Sequence, residues 1–192
     1  MDRLDPKRTA VLCMDYQKDV VPMTGDAAPV LLERAGAVLD AARAAGATVI
    51  YVVVGFRPGY PELSTSNTRF FALAERGLFA TSDPASEVVP ELKPQDGDVV
   101  VVKHRVSAFA GSDLEMILRA KGVDTLVLFG IATSGVVLST VRRAYDLDYR
   151  LVVVGDACAD RDPEVHQVLT GKVLAHQAEM ATVADVKAAL AG

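Results

Sequence analysis

Short apolar runs rich in β-branched residues recur along the chain, and such runs are typical of strands buried on both faces. They occupy residues 10–14, 48–54, 98–102, 125–129 and 151–154. Apolar positions at helical spacing lie between them and predict helices at residues 29–45, 112–121, 137–147 and 163–174. A weaker pattern predicts a last strand at residues 180–183 and a terminal helix that ends at residue 191.

The alternation of strands and helices predicts the fold. Successive parallel strands joined through a helix form right-handed crossover units, with helices on both faces of the sheet. We therefore expect an α/β protein, a doubly wound, Rossmann-type three-layer αβα sandwich with a mainly parallel sheet. Because 192 residues with 51% apolar content can bury one substantial core, residues 1–192 are predicted to form a single domain.

One long segment, residues 55–93, interrupts this alternation and is rich in proline, glycine, serine and threonine. Long irregular segments of compact domains are usually lids or binding loops. In a parallel sheet they gather beyond the carboxyl ends of the strands, where ligands bind. We therefore predict that this segment is a substrate lid. Its arginines Arg57 and Arg69 are candidates to bind a substrate carboxylate, and a solvated surface arginine is the alternative for each.

The segment that follows the fourth predicted strand has the layout of a nucleophile's seat. A turn of small residues runs from Gly130 to Val136 and leads into a helix. Such an elbow lifts its apex residue to the sheet edge, where backbone N–H groups at the helix start stabilise negative charge. The apex residue here is Val136, which has no nucleophilic atom.

Two charged residues follow other predicted strands. Asp15 comes directly after the first apolar run, and Lys103 after the third. Because the carboxyl ends of parallel strands meet at one edge, we expect Asp15, Lys103 and the elbow to lie together. The alternatives are an aspartate that caps the next turn and an ordinary exposed lysine that closes a strand.

Four motifs in this order resemble those of the isochorismatase-like hydrolases, the superfamily that includes nicotinamidases, N-carbamoylsarcosine amidases and isochorismatases. The motifs are Asp-x-Gln at residues 15–17, the lysine at 103, Gly-x-x-Thr at 130–133 and Asp-Ala-x-Ala at 156–159. The resemblance spans nearly the whole chain. It implies a homodimer or homotetramer.

The resemblance also implies roles for individual residues. Asp15 would be the general acid/base and Lys103 its electrostatic partner. The backbone N–H groups of Ala132 and Val136 would form an oxyanion site, and the peptide between Ile131 and Ala132 would be cis. The substrate-binding residues that we predict at this edge are Gln17, Arg57, Arg69, Arg105 and Thr133.

The chain departs from the family pattern at the nucleophile. Amidases of the family attack with a cysteine thiolate, and Val136 occupies that place. Isochorismatases also lack the cysteine and hydrolyse a vinyl ether through protonation by the aspartate. A valine is therefore compatible with hydrolysis that needs only an acid and a water.

The leading prediction is a hydrolase that acts on a small, anionic substrate, of which a vinyl ether of the isochorismate type is the best guess. Whether burial of Asp15 outweighs the charge of Lys103, and so keeps a proton on the acid, stays open in the sequence. One alternative is a catalytically silent ligand-binding or oligomer-forming homologue. Another is a C–N amide hydrolase that uses Cys13 or Cys158, although Cys13 is predicted to be a core residue and Cys158 has no neighbouring cation.

Nicotinamidases carry an Asp-x-His metal motif after the second strand, and residues 53–58 of this chain do not contain it. The histidines His104, His166 and His176 are scattered, so we predict no metal and no cofactor. We expect His104 to be structural or interfacial, because strand alternation turns it away from Lys103.

Composition narrows the expected partners. The net charge of −5 and the few aromatic residues argue against nucleic acid. We expect no membrane partner and a cytoplasmic location, because no apolar stretch has the length of a membrane span and the first residues lack a hydrophobic signal region. The two cysteines are expected to be free thiols.

Overall fold

A six-stranded parallel sheet forms the middle layer of the protein, with the strand order β3-β2-β1-β4-β5-β6. The computed structural model describes residues 1–191. The strands are Thr9–Met14 (β1), Thr48–Val54 (β2), Val99–Lys103 (β3), Thr125–Gly130 (β4), Arg150–Val154 (β5) and Glu179–Ala181 (β6). The α-helices are Ala28–Ala45 (α1), Thr68–Glu75 (α2), Leu114–Ala120 (α3), Leu138–Tyr145 (α4), Pro163–Val168 (α5) and Val183–Ala191 (α6).

The predicted doubly wound α/β sandwich is confirmed. From β1 the sheet is extended in one direction by β2 and β3 and in the other by β4, β5 and β6. The reversal lies between β1 and β4, and in such folds ligands bind in the crevice at the carboxyl ends of these two strands. Both strands are buried along their whole length, as their unbroken apolar runs predict.

The end of the sheet differs from the prediction. β6 stops at Ala181, and Val183, expected in the strand, begins α6. The reason is a helix cap: the Asp185 carboxylate accepts a hydrogen bond from the Thr182 N–H at 2.9 Å, and the Thr182 hydroxyl accepts one from the Asp185 N–H at 3.2 Å. This reciprocal cap starts the helix directly after the strand.

The close approach of β1 and β4 fixes the site. Met14 lies opposite Gly130, and the Ile131 N–H continues the ladder by donating to the Met14 carbonyl at 3.2 Å. A Cβ on Gly130 would lie 2.7 Å from that carbonyl oxygen, so the register requires glycine. Asp15 and the elbow therefore start from neighbouring points on the sheet edge.

Residues 55–93 are more ordered than a loop prediction implies. They contain α2, which begins where the Asn67 side chain accepts from the Phe70 N–H at 3.3 Å. A backbone hydrogen bond from Phe56 to Phe79 ties the segment to itself, and one from Val89 to Tyr16 holds it to the residues that follow β1. Across residues 1–191, no helix combines the length and the apolar character that a bilayer crossing requires.

Candidate active site

A buried ion pair lies at the carboxyl edge of the sheet. Lys103, the last residue of β3, donates from Nζ to Asp15 Oδ2 at 3.0 Å and to the Arg105 carbonyl at 3.1 Å. Asp15 is 7% exposed and Lys103 is 2% exposed. The Asp15 N–H binds the Val52 carbonyl at 2.8 Å, which fixes the aspartate between β1 and β2. The predicted acid and cation are therefore in direct contact.

The second carboxylate oxygen of Asp15, Oδ1, is buried and has no hydrogen-bond partner among the described residues. Burial raises the pKa of Asp15, and the charge and hydrogen bond of Lys103 lower it; burial is the larger effect, so the net shift is upward. Asp15 also has a φ of 59°, a left-handed conformation that aspartate adopts more readily than most non-glycine residues. Relative to an ordinary aspartate, the site therefore shifts Asp15 toward its protonated form.

The elbow is built as the family resemblance implies. The peptide between Ile131 and Ala132 is cis, which confirms that prediction. A π-helical turn, Thr133–Val137, leads into α4. The Ala132 carbonyl accepts from the Gly135 N–H at 3.1 Å, and the Val136 side chain is nearly buried, with 2% of the residue exposed. The apex of the elbow is therefore occupied by a buried apolar side chain.

Three contacts hold the elbow on the side of α5 and the segment after β5. The Asp160 carboxylate accepts from the Ser134 N–H at 2.7 Å, and the Thr133 N–H donates to the Ala159 carbonyl at 2.8 Å. The Thr133 hydroxyl lies 2.8 Å from Nδ1 of His166 on α5. Thr133 is fully buried, so this predicted substrate-binding residue supports the elbow from inside. Sequence reasoning missed His166, because 33 positions separate the two residues and no motif joins them.

Gln17, another predicted substrate-binding residue, anchors the lid. Its amide nitrogen donates to the carbonyls of Val54 at 2.9 Å and Ser86 at 2.6 Å, and its amide oxygen accepts from the Val54 N–H at 2.9 Å. Gln17 is fully buried. Its polar atoms therefore join the carboxyl end of β2 to residues 84–88 and are engaged within the protein.

The predicted arginines also make local contacts. Arg57 pairs with Glu62 at 2.6 Å, and 68% of its side chain is exposed. Arg69 lies exposed in the first turn of α2. The Arg105 guanidinium donates to the Glu62 carbonyl at 2.9 Å and covers the Phe70 ring at 5.9 Å from its centroid. The Arg105 carbonyl accepts from Lys103 of the ion pair. The Arg105 side chain contacts Glu62 and Phe70 instead, and so connects residues 55–93 to the end of β3.

The remaining candidates behave as structural groups. His104 Nδ1 lies 2.6 Å from the Gly55 carbonyl, which confirms its predicted structural role. Both cysteines are buried free thiols. Burial raises the pKa of Cys13 well above its ordinary value and that of Cys158 to about 12. Neither thiol supplies a thiolate at neutral pH, which argues against the alternative of a second cysteine nucleophile.

Among the described residues, no three His, Cys, Asp or Glu side chains come together as a metal site. The site brings together a protonatable acid, Asp15, an adjacent ammonium, Lys103, and the elbow that follows β4. Such a set can protonate a substrate and stabilise developing negative charge. The fold and the site together are those of an α/β protein with a candidate active site at the carboxyl ends of β1 and β4.

The chain belongs to the isochorismatase family, a family of hydrolases, because residues 9–185 match the isochorismatase domain. It is 32% identical to the uncharacterized isochorismatase family protein YecD of Escherichia coli O157:H7, over 99% of this chain and 100% of that protein. It is 37% identical to the ureidoacrylate amidohydrolase RutB of Caulobacter segnis, over 85% of this chain and 77% of that protein.

Solved structures support the same assignment. A cysteine hydrolase from Pseudomonas syringae pv. phaseolicola has a TM-score of 0.92 and 27% identity, and the match covers 100% of this chain and 96% of that chain. The architecture of this protein is therefore the architecture of a known hydrolase from end to end.

Proposed function

We propose that this protein hydrolyses a small, anionic substrate by acid/base chemistry at Asp15, without a covalent cysteine intermediate. The observation that carries the proposal is the carboxyl oxygen Oδ1 of Asp15, which is buried, has no hydrogen-bond partner within residues 1–191 and lies on a residue held by Lys103 at 3.0 Å. An oxygen of this kind is free to carry the proton that substrate protonation requires.

The proposed reaction is the hydrolysis of a vinyl ether of the isochorismate type. Asp15 gives its proton to the terminal alkene carbon, and the electrons of the double bond form the new C–H bond. The oxocarbenium ion that results takes up water, the Asp15 carboxylate accepts the water's proton, and the hemiketal breaks into a ketone and an alcohol. Atoms and charge balance, and no nucleophilic sulfur takes part.

Lys103 stabilises the Asp15 carboxylate that exists between the two proton transfers. Once the proton has left, Asp15 is a buried carboxylate, and the ammonium at 3.0 Å compensates its charge until the proton returns. The backbone N–H groups of Ala132 and Val136 are the proposed site for negative charge on the substrate. The substrate contacts proposed earlier for Gln17, Arg57, Arg69, Arg105 and Thr133 are not part of this proposal, because their polar atoms are engaged or exposed elsewhere.

The experiment compares hydrolysis of isochorismate and ureidoacrylate, a vinyl ether and the substrate named for a relative, by the wild type and Asp15→Asn. Asparagine keeps the shape and removes the acidic proton, so the rate with isochorismate should fall by about 10²–10⁴-fold. Asp146→Asn, an exposed aspartate after α4, is the matched control and should keep the wild-type rate.

Three results would contradict the proposal. Unchanged turnover of isochorismate in Asp15→Asn would remove the aspartate from the chemistry. Binding of both compounds without hydrolysis by the wild type would instead favour the silent ligand-binding homologue. Rapid hydrolysis of ureidoacrylate alone would assign the site to C–N bonds, with Asp15 activating water.

A further inference from the structure

His166 and Thr133 form a contact that no catalytic step accounts for. The Thr133 hydroxyl lies 2.8 Å from His166 Nδ1, and this is the hydroxyl's only recorded side-chain partner within residues 1–191. Thr133 is fully buried in the turn between the cis peptide and Val136. A side chain of α5 therefore contacts the elbow at the residue that lies between its two proposed oxyanion donors.

Proton positions in this contact follow from the chemistry of the two groups. A neutral imidazole with its hydrogen on Nε2 accepts at Nδ1, and the threonine hydroxyl donates to it. If the ring is protonated, Nδ1 becomes a donor, and the hydroxyl hydrogen of Thr133 has no acceptor in the described structure. An unsatisfied buried hydroxyl is unfavourable. The elbow contact therefore favours the neutral ring.

Electrostatics around His166 point in the same direction. Burial lowers the pKa of His166, Asp160 raises it, and burial is the larger effect. His166 lines a groove of about 290 Å³ between α1 and the segment after β5. The charged and titratable groups that share this groove with His166 are Arg34, Asp156, Cys158, Asp160 and Arg161. Asp156 is already paired, because Arg34 donates to its carbonyl at 3.0 Å and lies 4.0 Å from its carboxylate.

We propose that His166 is a positioning residue, which in its neutral form holds Thr133 and through it the amides of Ala132 and Val136 in the geometry of an anion site. Asp160 is the second support, since its carboxylate holds the Ser134 N–H at 2.7 Å. Protonation of His166 reverses the Thr133 hydrogen bond and loosens the elbow. The catalytic consequence rests on the proposed function, whereas the coupling between the ring and the elbow does not.

The coupling is tested without a substrate, by NMR. Long-range ¹H–¹⁵N spectra of the imidazoles, recorded from pH 8 to pH 5, report the tautomer and the titration midpoint of His166. The expected result is the Nε2–H tautomer, a midpoint below the ordinary histidine value, and movement of the Thr133, Ser134 and Val136 amide resonances with that midpoint. An Nδ1–H tautomer, or elbow amides that ignore the titration, would overturn the proposal.

Variants separate positioning from simple packing. His166→Ala should increase hydrogen exchange at the Thr133–Val136 amides, and His166→Asn, whose side-chain oxygen can accept from Thr133, should restore part of the protection. His176→Ala, at an exposed position, is the matched control and should leave these amides unchanged. Equal exchange in the two alanine variants would overturn the proposal.

Steady-state kinetics test whether the contact between His166 and the elbow affects hydrolysis. If the wild type hydrolyses isochorismate, His166→Ala should raise KM by up to about a hundredfold with a smaller change in kcat, because the anion site holds a negative charge that the substrate carries both before and during the reaction. The acid limb of the kcat/KM profile that belongs to His166 should disappear in that variant. A wild type without hydrolysis would reject the proposed function and leave the NMR result to decide the role of His166.

Discussion

Val136 lies at the apex of the elbow, where the family resemblance predicts a nucleophile. The turn around it contains a cis peptide and is contacted by Asp160 and His166. Asp15 and Lys103 come from other parts of the sheet edge, directly after β1 and at the end of β3.

Val136→Cys is expected to create amide hydrolysis. The new thiol would lie at the apex of the elbow. Because cysteine has one γ atom where valine has two, the free energy of unfolding should fall by about 0.5–1.5 kcal/mol, as for the removal of one buried methyl group. Hydrolysis of ureidoacrylate and alkylation by iodoacetamide at residue 136 are the measurements. Val137→Cys, one position further and fully buried, is the control. An alkylated but inactive Val136→Cys would show that the surroundings do not support acyl transfer.

The pH dependence of Asp15 follows from the sign of its shift. Because its pKa is raised in the folded protein, the protonated acid persists above the ordinary aspartate range, and activity that needs this proton declines as pH rises through the folded pKa. The linked stability has the same sign: it is fully present below the unfolded pKa and is lost as pH rises through the folded pKa.

In a plot of kcat for isochorismate against pH, the decline at high pH is the alkaline limb that we assign to Asp15. Lys103→Met should move this limb to higher pH. Lys103 lowers the pKa of Asp15, so removal of its charge leaves burial unopposed. The maximal rate should also fall, because the carboxylate formed during turnover loses its partner. Lys172→Met, an exposed lysine, should keep the wild-type profile. A limb that moves to lower pH would contradict the assignment of the limb to Asp15.

At the scale of the elements, the contact between β1 and β4 carries the site. Asp15 and Ile131 follow strands whose last residues, Met14 and Gly130, are opposite each other. The position of the acid relative to the elbow is therefore set by a backbone approach that only glycine permits.

Gly130→Ala should destabilise the fold by about 1–3 kcal/mol, since the added methyl would lie 2.7 Å from a Met14 backbone oxygen that cannot move aside. Urea denaturation measures the loss. Gly171→Ala is the control: a Cβ there meets nothing within 4 Å, so its stability should match or slightly exceed the wild type. Equal stability of the two variants would mean that the strands separate without cost.

At the scale of the whole molecule, one polar cluster joins the helix α1 to the strands β2 and β3 of the sheet. Arg43 of α1 pairs with Asp98, which precedes β3, at 2.7 Å and donates to the Tyr51 hydroxyl of β2 at 2.9 Å. The Asp98 side chain is 5% exposed and that of Arg43 is 20% exposed. Burial and the nearby groups raise the pKa of Tyr51 to about 12, so it stays a neutral hydrogen-bonding partner.

Arg43→Met should lower the free energy of unfolding by about 1–3 kcal/mol, because it leaves the Asp98 carboxylate buried without its cation. Arg119→Met removes an exposed pair with Glu115 within α3 and should change stability little. Urea denaturation gives the free energy of unfolding of Arg43→Met, of Asp98→Asn and of the double variant. This double-mutant cycle yields the coupling energy between Arg43 and Asp98. A coupling no larger than that of the exposed pair would show that this contact does not join the layers.

Much of this molecule can be predicted from sequence because the signals are local. Each strand is a continuous apolar run, and the rule that parallel strands end at one edge brings Asp15 to Lys103. The start of α2 was also recoverable, since Asn67 is a good N-cap residue. The end of β6 was predicted wrongly, because the Thr182–Asp185 cap outweighed the apolar pattern of residues 180–183.

The sequence by itself determined the order of the elements, the family motifs and the absence of sulfur at position 136. Tertiary structure alone decided which polar atoms are free. It engaged Gln17 with the lid and Arg57 with Glu62, joined His166 to Thr133, and, as far as the described part of the chain shows, left Asp15 Oδ1 without a partner. The physical reason is that periodicity records which face of an element is buried, whereas hydrogen-bond satisfaction and desolvation depend on groups that are distant in sequence and meet only in the folded chain.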